Sequence, residues 1–480
     1  MQKKRLPDWM WEFKRNMDLL RVFAFAKAYN KIIGDFFYIL EKNQTNFYWD
    51  KTIVEKKSSS ILKKILKSKK YQKKISSNFK NVIREFNETI VEFKSFHVHK
   101  LSDNEIYFYY KKYFDILYKG GLAAVLIRTS IFSAEPFLRN CLKKIFHDEY
   151  LDAFVILTTP DELSFTQKEE MECLKIASFI LNKKISINDK IVNEMINNHL
   201  KNFAYIPCGY FDEKPLNEND IKARLKKILP IGLGEVSKKL KNTAKTKATA
   251  GKKKKYIKRG RDKIKELIPL INWLCFVCLY KERIRDKINE LSYYVIPLFK
   301  EIKERSGLSL TDFKMLTIEE FRKLIFEQKA YDKIIKQRKE WLLVRGESGK
   351  IGIYEGEKAR NLFQKYKVNI ASIAYAKGIR GLCANTGKVK GIGRIVNKYT
   401  DHISQGDILI VSMTTPEFVP LIKKSSAVIT DEGGITCHAA VICREMGKPC
   451  LIGTKIATKI LKDGALIELD ATKGIVKVLR

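Results

Sequence analysis

Apolar residues recur at helical spacing through most of the first 375 residues. Trp11, Leu19, Leu20, Val22, Phe23, Phe25, Ile32, Ile33, Phe36 and Phe37 share one such pattern, which predicts a long helix over 9–41. The same period returns over 79–117 and over 262–305. A turn at Thr158-Thr159-Pro160-Asp161-Glu162 interrupts it, and Ser164 with Gln167 three residues on reads as a capping box for the next helix. Leu308–Phe313 and Leu316–Glu320 predict two short capped helices. Trp341–Val344 and Lys350–Tyr354 predict a hairpin across Gly346–Gly349.

The pattern changes near Lys377. Beyond it glycine is frequent, and short β-branched runs alternate with turns at 393–396, 407–411, 426–430, 449–452, 465–469 and 474–478. One helical segment, 437–446, interrupts them. The expected fold class is therefore multi-domain: a mainly α-helical N-terminal region, 1–370, and a C-terminal α/β domain, 382–480, joined by a hinge linker over 371–381.

Composition narrows the class. The chain has 480 residues, 45% hydrophobic and 30% charged, which is a folded, soluble composition. Nine cysteines without framework spacing, and a start lacking an apolar stretch behind its charges, lead to the expectation of a cytoplasmic protein with no targeting segment. The most apolar run, Leu267–Tyr280, is broken by Pro269 and Asn272 and is too short to span a bilayer. The net charge is +38. Residues 56–74 hold nine lysines and no acid; residues 238–261 hold twelve Lys/Arg and no acid, and read as a basic mobile loop. Such a footprint is open to two readings, a solvated lysine-rich surface or a contact with a polyanion. No stacking platform, zinc knuckle or recognition helix accompanies it, which argues against nucleic acid.

The chemistry concentrates in Thr430-Asp431-Glu432-Gly433-Gly434-Ile435-Thr436-Cys437-His438-Ala439-Ala440-Val441-Ile442-Cys443-Arg444-Glu445. A strand ends at Thr430, Gly433 and Gly434 form a tight turn, and a helix opens near His438. Helix N-terminal amides attract an anion, and a neutral imidazole there is a competent nucleophile toward phosphorus. Arg444, two turns along, either neutralises phosphate charge or ties the loop down.

This run resembles the phosphohistidine, or swivelling, domain of the phosphoenolpyruvate-utilising enzymes. That family includes phosphoenolpyruvate synthase, pyruvate phosphate dikinase, enzyme I of the sugar phosphotransferase system and rifampicin phosphotransferase. Thr430, Asp431, Gly433, Gly434, Thr436, Cys437, His438, Ala439, Ala440, Arg444, Glu445, Gly447 and Pro449 carry the resemblance. Flanks at 378–391, 406–409, 415–417, 452–454, 470 and 474 extend it. The resemblance implies a transferase of the kinase type in which His438 is phosphorylated during catalysis. Gly433, Gly434, Thr436 and Cys437 would form its phosphate loop, with Asp431 and Arg444 supporting. The family usually has a small residue where Cys443 stands.

Full-length relatives also carry an ATP-grasp domain and an acceptor domain. No Walker-type loop or ATP-grasp pattern is legible before residue 376, and the stretch after His438 is short for a barrel. The resemblance therefore implies that ATP and Mg2+ bind a separate ATP-grasp partner chain, that this chain holds no metal, and that a small-molecule acceptor receives the phosphoryl group. Residues 157–160, 199–205, 282–286 and 308–320 faintly resemble the helical segment that precedes the histidine domain in synthase-like and rifampicin phosphotransferase-like proteins, so 1–370 is a candidate acceptor or partner-binding region. The alternative is a non-catalytic phospho-relay or docking protein whose basic region grips an acidic partner or nucleic acid. Cys275-Phe-Val-Cys278 lacks a second ligand pair and reads as core packing. His199 is either structural or part of an acceptor pocket, and His97 and His99 read as surface residues without a third ligand.

Overall fold

The computed structural model describes residues 9–15, 19–41, 44–95, 98–209, 214–243, 246–347, 349–365, 379–397, 401–414, 418–434 and 437–479. The expected hinge at 371–381 lies outside them up to residue 378, as do Thr436 and His97.

The region up to residue 365 is mostly helical, but it is built on a sheet. Five antiparallel strands run in the order β1 (Trp9–Arg15), β3 (Gln44–Asp50), β2 (Phe36–Glu41), β4 (Trp341–Glu347) and β5 (Lys350–Glu355). The expected helix over 9–41 is corrected accordingly: only α1 (Leu19–Ile32) is helical. Gly34, at φ +100°, ends α1. The unbroken run Phe36-Phe37-Tyr38-Ile39-Leu40 that follows is a strand buried on both faces, which periodicity cannot separate from a helix. Phe36, Tyr38 and Leu40 enter one apolar cluster while Phe37 and Ile39 enter another. The predicted hairpin at 341–354 is present and pairs with β2, Phe36 opposite Gly346. A Cβ on Gly346 would lie 2.1 Å from the Phe36 ring, so only glycine fits.

Helices α2 (Lys51–Lys67), α3 (Lys69–Ser95), α4 (Asp103–Phe146), α5 (Tyr150–Thr158) and, later, α11 (Ile268–Tyr294) and α12 (Ile296–Ser306) form the main helical body. Between them α6 (Phe165–Lys183), α7 (Lys190–Phe203), α8 (Glu218–Ile228) and α9 (Gly232–Thr243) enclose a small core of their own. The Ser164 capping box forms as predicted, Ser164 N–H donating to Gln167 Oε1 at 2.9 Å. The stretch from Asp103 to Thr158 is long and apolar enough to cross a membrane. Its α4 portion buries Tyr110, Leu117, Val125, Leu138 and Leu142 against neighbouring helices and lies at the centre of the helical body.

The segment expected to be a basic loop is helical where described: α9 runs into it and α10 (Thr246–Lys265) fills it, with a break at Arg261. Lysine and alanine are good helix formers. Acids elsewhere hold the helix: Arg259 forks onto Glu149 at 2.7 and 2.9 Å, and Lys253 reaches Asp161 at 2.8 Å.

The C-terminal domain contains an eight-stranded sheet in the order β6-β13-β12-β8-β9-β10-β11-β7. β8 (Lys388–Val396), β9 (Ile408–Val411), β10 (Ala427–Thr430), β11 (Cys450–Ile452), β12 (Leu466–Asp470) and β13 (Ile475–Val478) correspond to the six expected runs. The short edge strands β6 (Ile379–Arg380) and β7 (Leu382–Asn385) were not anticipated, and β6 starts within the expected linker. β8 through β11 are parallel neighbours. The helix His438–Glu445 is the crossover from β10 to β11. Its Ala439, Ala440 and Cys443 share one apolar cluster with Leu138 and Leu142 of α4, Leu157 of α5 and Leu274 of α11, so this face of the domain is packed on the helical body.

Candidate phosphohistidine loop

The loop sits at the carboxyl ends of the parallel strands, at the start of the following helix. Thr430 ends β10 and its hydroxyl donates to Glu432 O at 2.6 Å, which turns the chain out of the sheet. Gly433 then adopts φ +115°, and a Cβ there would meet Cys437 Sγ at 2.7 Å. Cys437 N–H donates to Gly434 O at 2.9 Å and closes the turn. Cys437 occupies the N-cap position and His438 the first helical one.

His438 is half-buried, its Nδ1 2.8 Å from Thr414 Oγ1. Thr414 lies just past β9, the parallel neighbour of β10, and is buried. The tautomer in which Nδ1–H donates to Thr414 Oγ1 places the ring's lone pair on Nε2.

Asp431 is only 1% exposed and ties the loop to the segment after β11. Its Oδ1 accepts from Thr454 Oγ1 at 2.9 Å and from Thr458 N–H at 3.2 Å, and its Oδ2 accepts from Thr458 Oγ1. Its carboxylate is thus occupied by hydroxyl and amide donors. Arg444 Nη1 donates to Ala384 O of β7 at 3.3 Å, and burial holds its guanidinium below the usual arginine value. Burial likewise pushes the Cys437 thiol up, partly offset by the amides of Ala440 and Ala439 and by the charges of Lys281 and Arg444. Cys437 is therefore a neutral packing group.

The loop faces the helical body. A methyl group on Gly434 would stand 3.4 Å from Glu135 Oε2 of α4, and Lys281 of α11 is close enough to act on Cys437. Sequence reasoning missed Thr414, Glu135 and Lys281. Thr414 abuts the flank 415–417 that carried part of the resemblance; Glu135 and Lys281 carry no local signal.

Residues 403–474 match the family model of the PEP-utilising enzyme mobile domain. The C-terminal domain belongs to the PEP-utilising enzyme family. Relatives of the mobile domain agree. A "Probable phosphoenolpyruvate synthase" of Archaeoglobus fulgidus is 38% identical over 173 residues, covering 34% of this chain and 22% of the relative. The phosphoenolpyruvate synthase of Pyrococcus furiosus is 46% identical over 102 residues, 20% of this chain and 12% of the relative. That of Aeropyrum pernix is 43% identical over 101 residues, 20% and 12% respectively. The chain thus spans about a fifth or less of the length of these relatives.

Other candidates fall away from the mobile-domain loop. His199 is buried with Nε2 3.1 Å from Glu169 Oε1, which Arg224 also grips, and so serves a core rather than an open pocket. Two segments of the faint helical resemblance meet directly, Tyr205 donating to Asp286 at 2.7 Å, while Leu157 O of a third accepts from Cys275 Sγ, outside those segments, at 3.2 Å. Cys278, its thiol pushed up to about 12 by burial, has no ligand set around it among the described residues.

Proposed function

We propose that this chain is a phosphotransferase component that carries a phosphoryl group on His438. The observation that carries the proposal is the Thr414–His438 contact at the N-terminus of a crossover helix, on a glycine turn that closely matches the phosphohistidine loop. Nε2 attacks the phosphorus of an incoming donor in line, the N–P bond forms as the donor's P–O bond breaks, and Nδ1–H stays with Thr414. The helix N-terminus and Gly433–Gly434 backbone lie next to the developing charge. Thr436 belongs to the same loop in this reading. Nucleotide and its magnesium ion bind a separate ATP-grasp chain, and the acceptor is a small-molecule hydroxyl or enolate. Docking of the loop against Glu135 and the Lys281 region supports delivery of the group to the helical body. The nine lysines of 56–74, all exposed, offer that body a docking face for an acidic partner in the cytoplasm.

The test is incubation of the full chain with β- and γ-labelled ATP, with and without an ATP-grasp partner. Acid-labile, alkali-stable label that disappears in His438→Asn is expected. No label under any condition, or label retained in that variant, overturns the proposal.

A further inference from the structure

The spacing of His97 and His99 offers no third ligand in the sequence, but the tertiary structure supplies partners for His99. His99 lies in the short turn between α3 and α4, and Glu301 and Glu304 stand one turn apart on α12. The ligand atoms of the three residues all fall within 4.8 Å of one another. His99 Nδ1 is 2.8 Å from Glu301 Oε2.

Several details separate this cluster from an ordinary surface ion pair. Glu301 is 93% buried, since its exposure is 7%, and its Oε2 accepts no hydrogen bond of regular geometry. Its other oxygen does: Arg305 Nε donates to Oε1 at 2.8 Å. Arg305 also donates to Asp103 Oδ1 at 2.8 Å and to Leu101 O at 2.6 Å, so one guanidinium orients the carboxylate and clamps α12 to the turn bearing His99. A metal-bound carboxylate held through its outer oxygen is the usual supporting arrangement around a ligand. Two ligands bound at about 2.0–2.2 Å to one ion stand about 3 Å apart, close to the separation of Nδ1 and Oε2. Glu304, three residues on, projects from the same side of the helix as Glu301.

We infer that His99, Glu301 and Glu304 form a binding site for a divalent transition-metal cation of the zinc, cobalt or manganese type. One imidazole and two carboxylates suit such ions and leave further positions for water, because His99 and Glu304 face solvent. The ion would staple the turn between α3 and α4 to α12, far in sequence from the phosphohistidine loop, and it takes no part in phosphoryl transfer.

The experiment is titration of the full chain with Co2+, read by its d–d absorbance and by the thermal midpoint. Binding to cysteine reports itself separately through a thiolate-to-cobalt charge-transfer band. A saturable single site without that band is expected, with the midpoint raised. His99→Ala, whose side chain is 85% exposed and cannot compromise the core, is expected to weaken binding at least tenfold and abolish the midpoint shift. Glu304→Gln is expected to weaken it severalfold. Absence of a saturable site in the wild-type chain, or equal binding in His99→Ala, overturns the assignment.

Discussion

Replacing Thr414 by valine tests the geometry on which the proposed phosphoryl transfer depends. Valine keeps the shape of the buried side chain and removes only the hydroxyl that stands 2.8 Å from His438 Nδ1. The net worth of such a bond is about 1 kcal/mol, and stranding the half-buried Nδ1–H raises the loss to about 3 kcal/mol. If the contact holds the ring in the tautomer with its lone pair on Nε2, its removal slows phosphorylation by roughly 5- to 150-fold. Potassium phosphoramidate, a chemical donor to imidazoles, allows the rate to be measured on the isolated chain, and 15N resonances of the His438 ring report the tautomer directly. Thr414→Ser, which restores the hydroxyl, is expected to return the rate to within a few-fold of wild type. A Thr414→Val rate within twofold of wild type, with an unchanged tautomer, would falsify the assigned role.

The remaining predictions concern the supporting structure. Gly433→Ala places a Cβ 2.7 Å from Cys437 Sγ at φ +115°; left-handed strain alone costs about 1–2 kcal/mol, and a drop in thermal midpoint with loss of labelling is expected. Glu169→Gln leaves Arg224 and His199 without their carboxylate and is expected to cost about 3 kcal/mol in chemical denaturation. Burial alone would raise the Glu169 carboxyl, but the His199 hydrogen bond and Arg224 outweigh it and hold it below the usual value. Its stabilisation is therefore present above the ordinary carboxylate range and lost as pH falls through the lowered folded value, and thermal midpoints of Glu169→Gln are expected to depend less on pH in that window. Leu138→Ala, in the cluster shared by α4 and the mobile domain, opens a fully buried site and is expected to destabilise by about 2–5 kcal/mol, measured by denaturant unfolding.

Elements governed by local signals are legible in the sequence. The six main strands of the mobile domain, the capping box at Ser164 and the glycine turn before His438 are each decided by neighbouring residues, through alternation, a side chain reaching three residues back, or a backbone angle. Structure departs from sequence pattern where local preference is ambiguous or overruled. Phe36–Leu40 became a strand because β4, some three hundred residues later, supplies its hydrogen-bonding partner. The lysine-rich segment became helix because Glu149 and Asp161 neutralise part of its charge. Thr414 beside His438, Glu135 beside Gly434 and Glu301 beside His99 exist only through folding. By itself the sequence determined which chemistry the chain can offer, because the histidine and its turn are contiguous. Tertiary structure alone decided what orients that histidine and what it faces, because those groups come from distant segments that meet only once the apolar surfaces between them are buried.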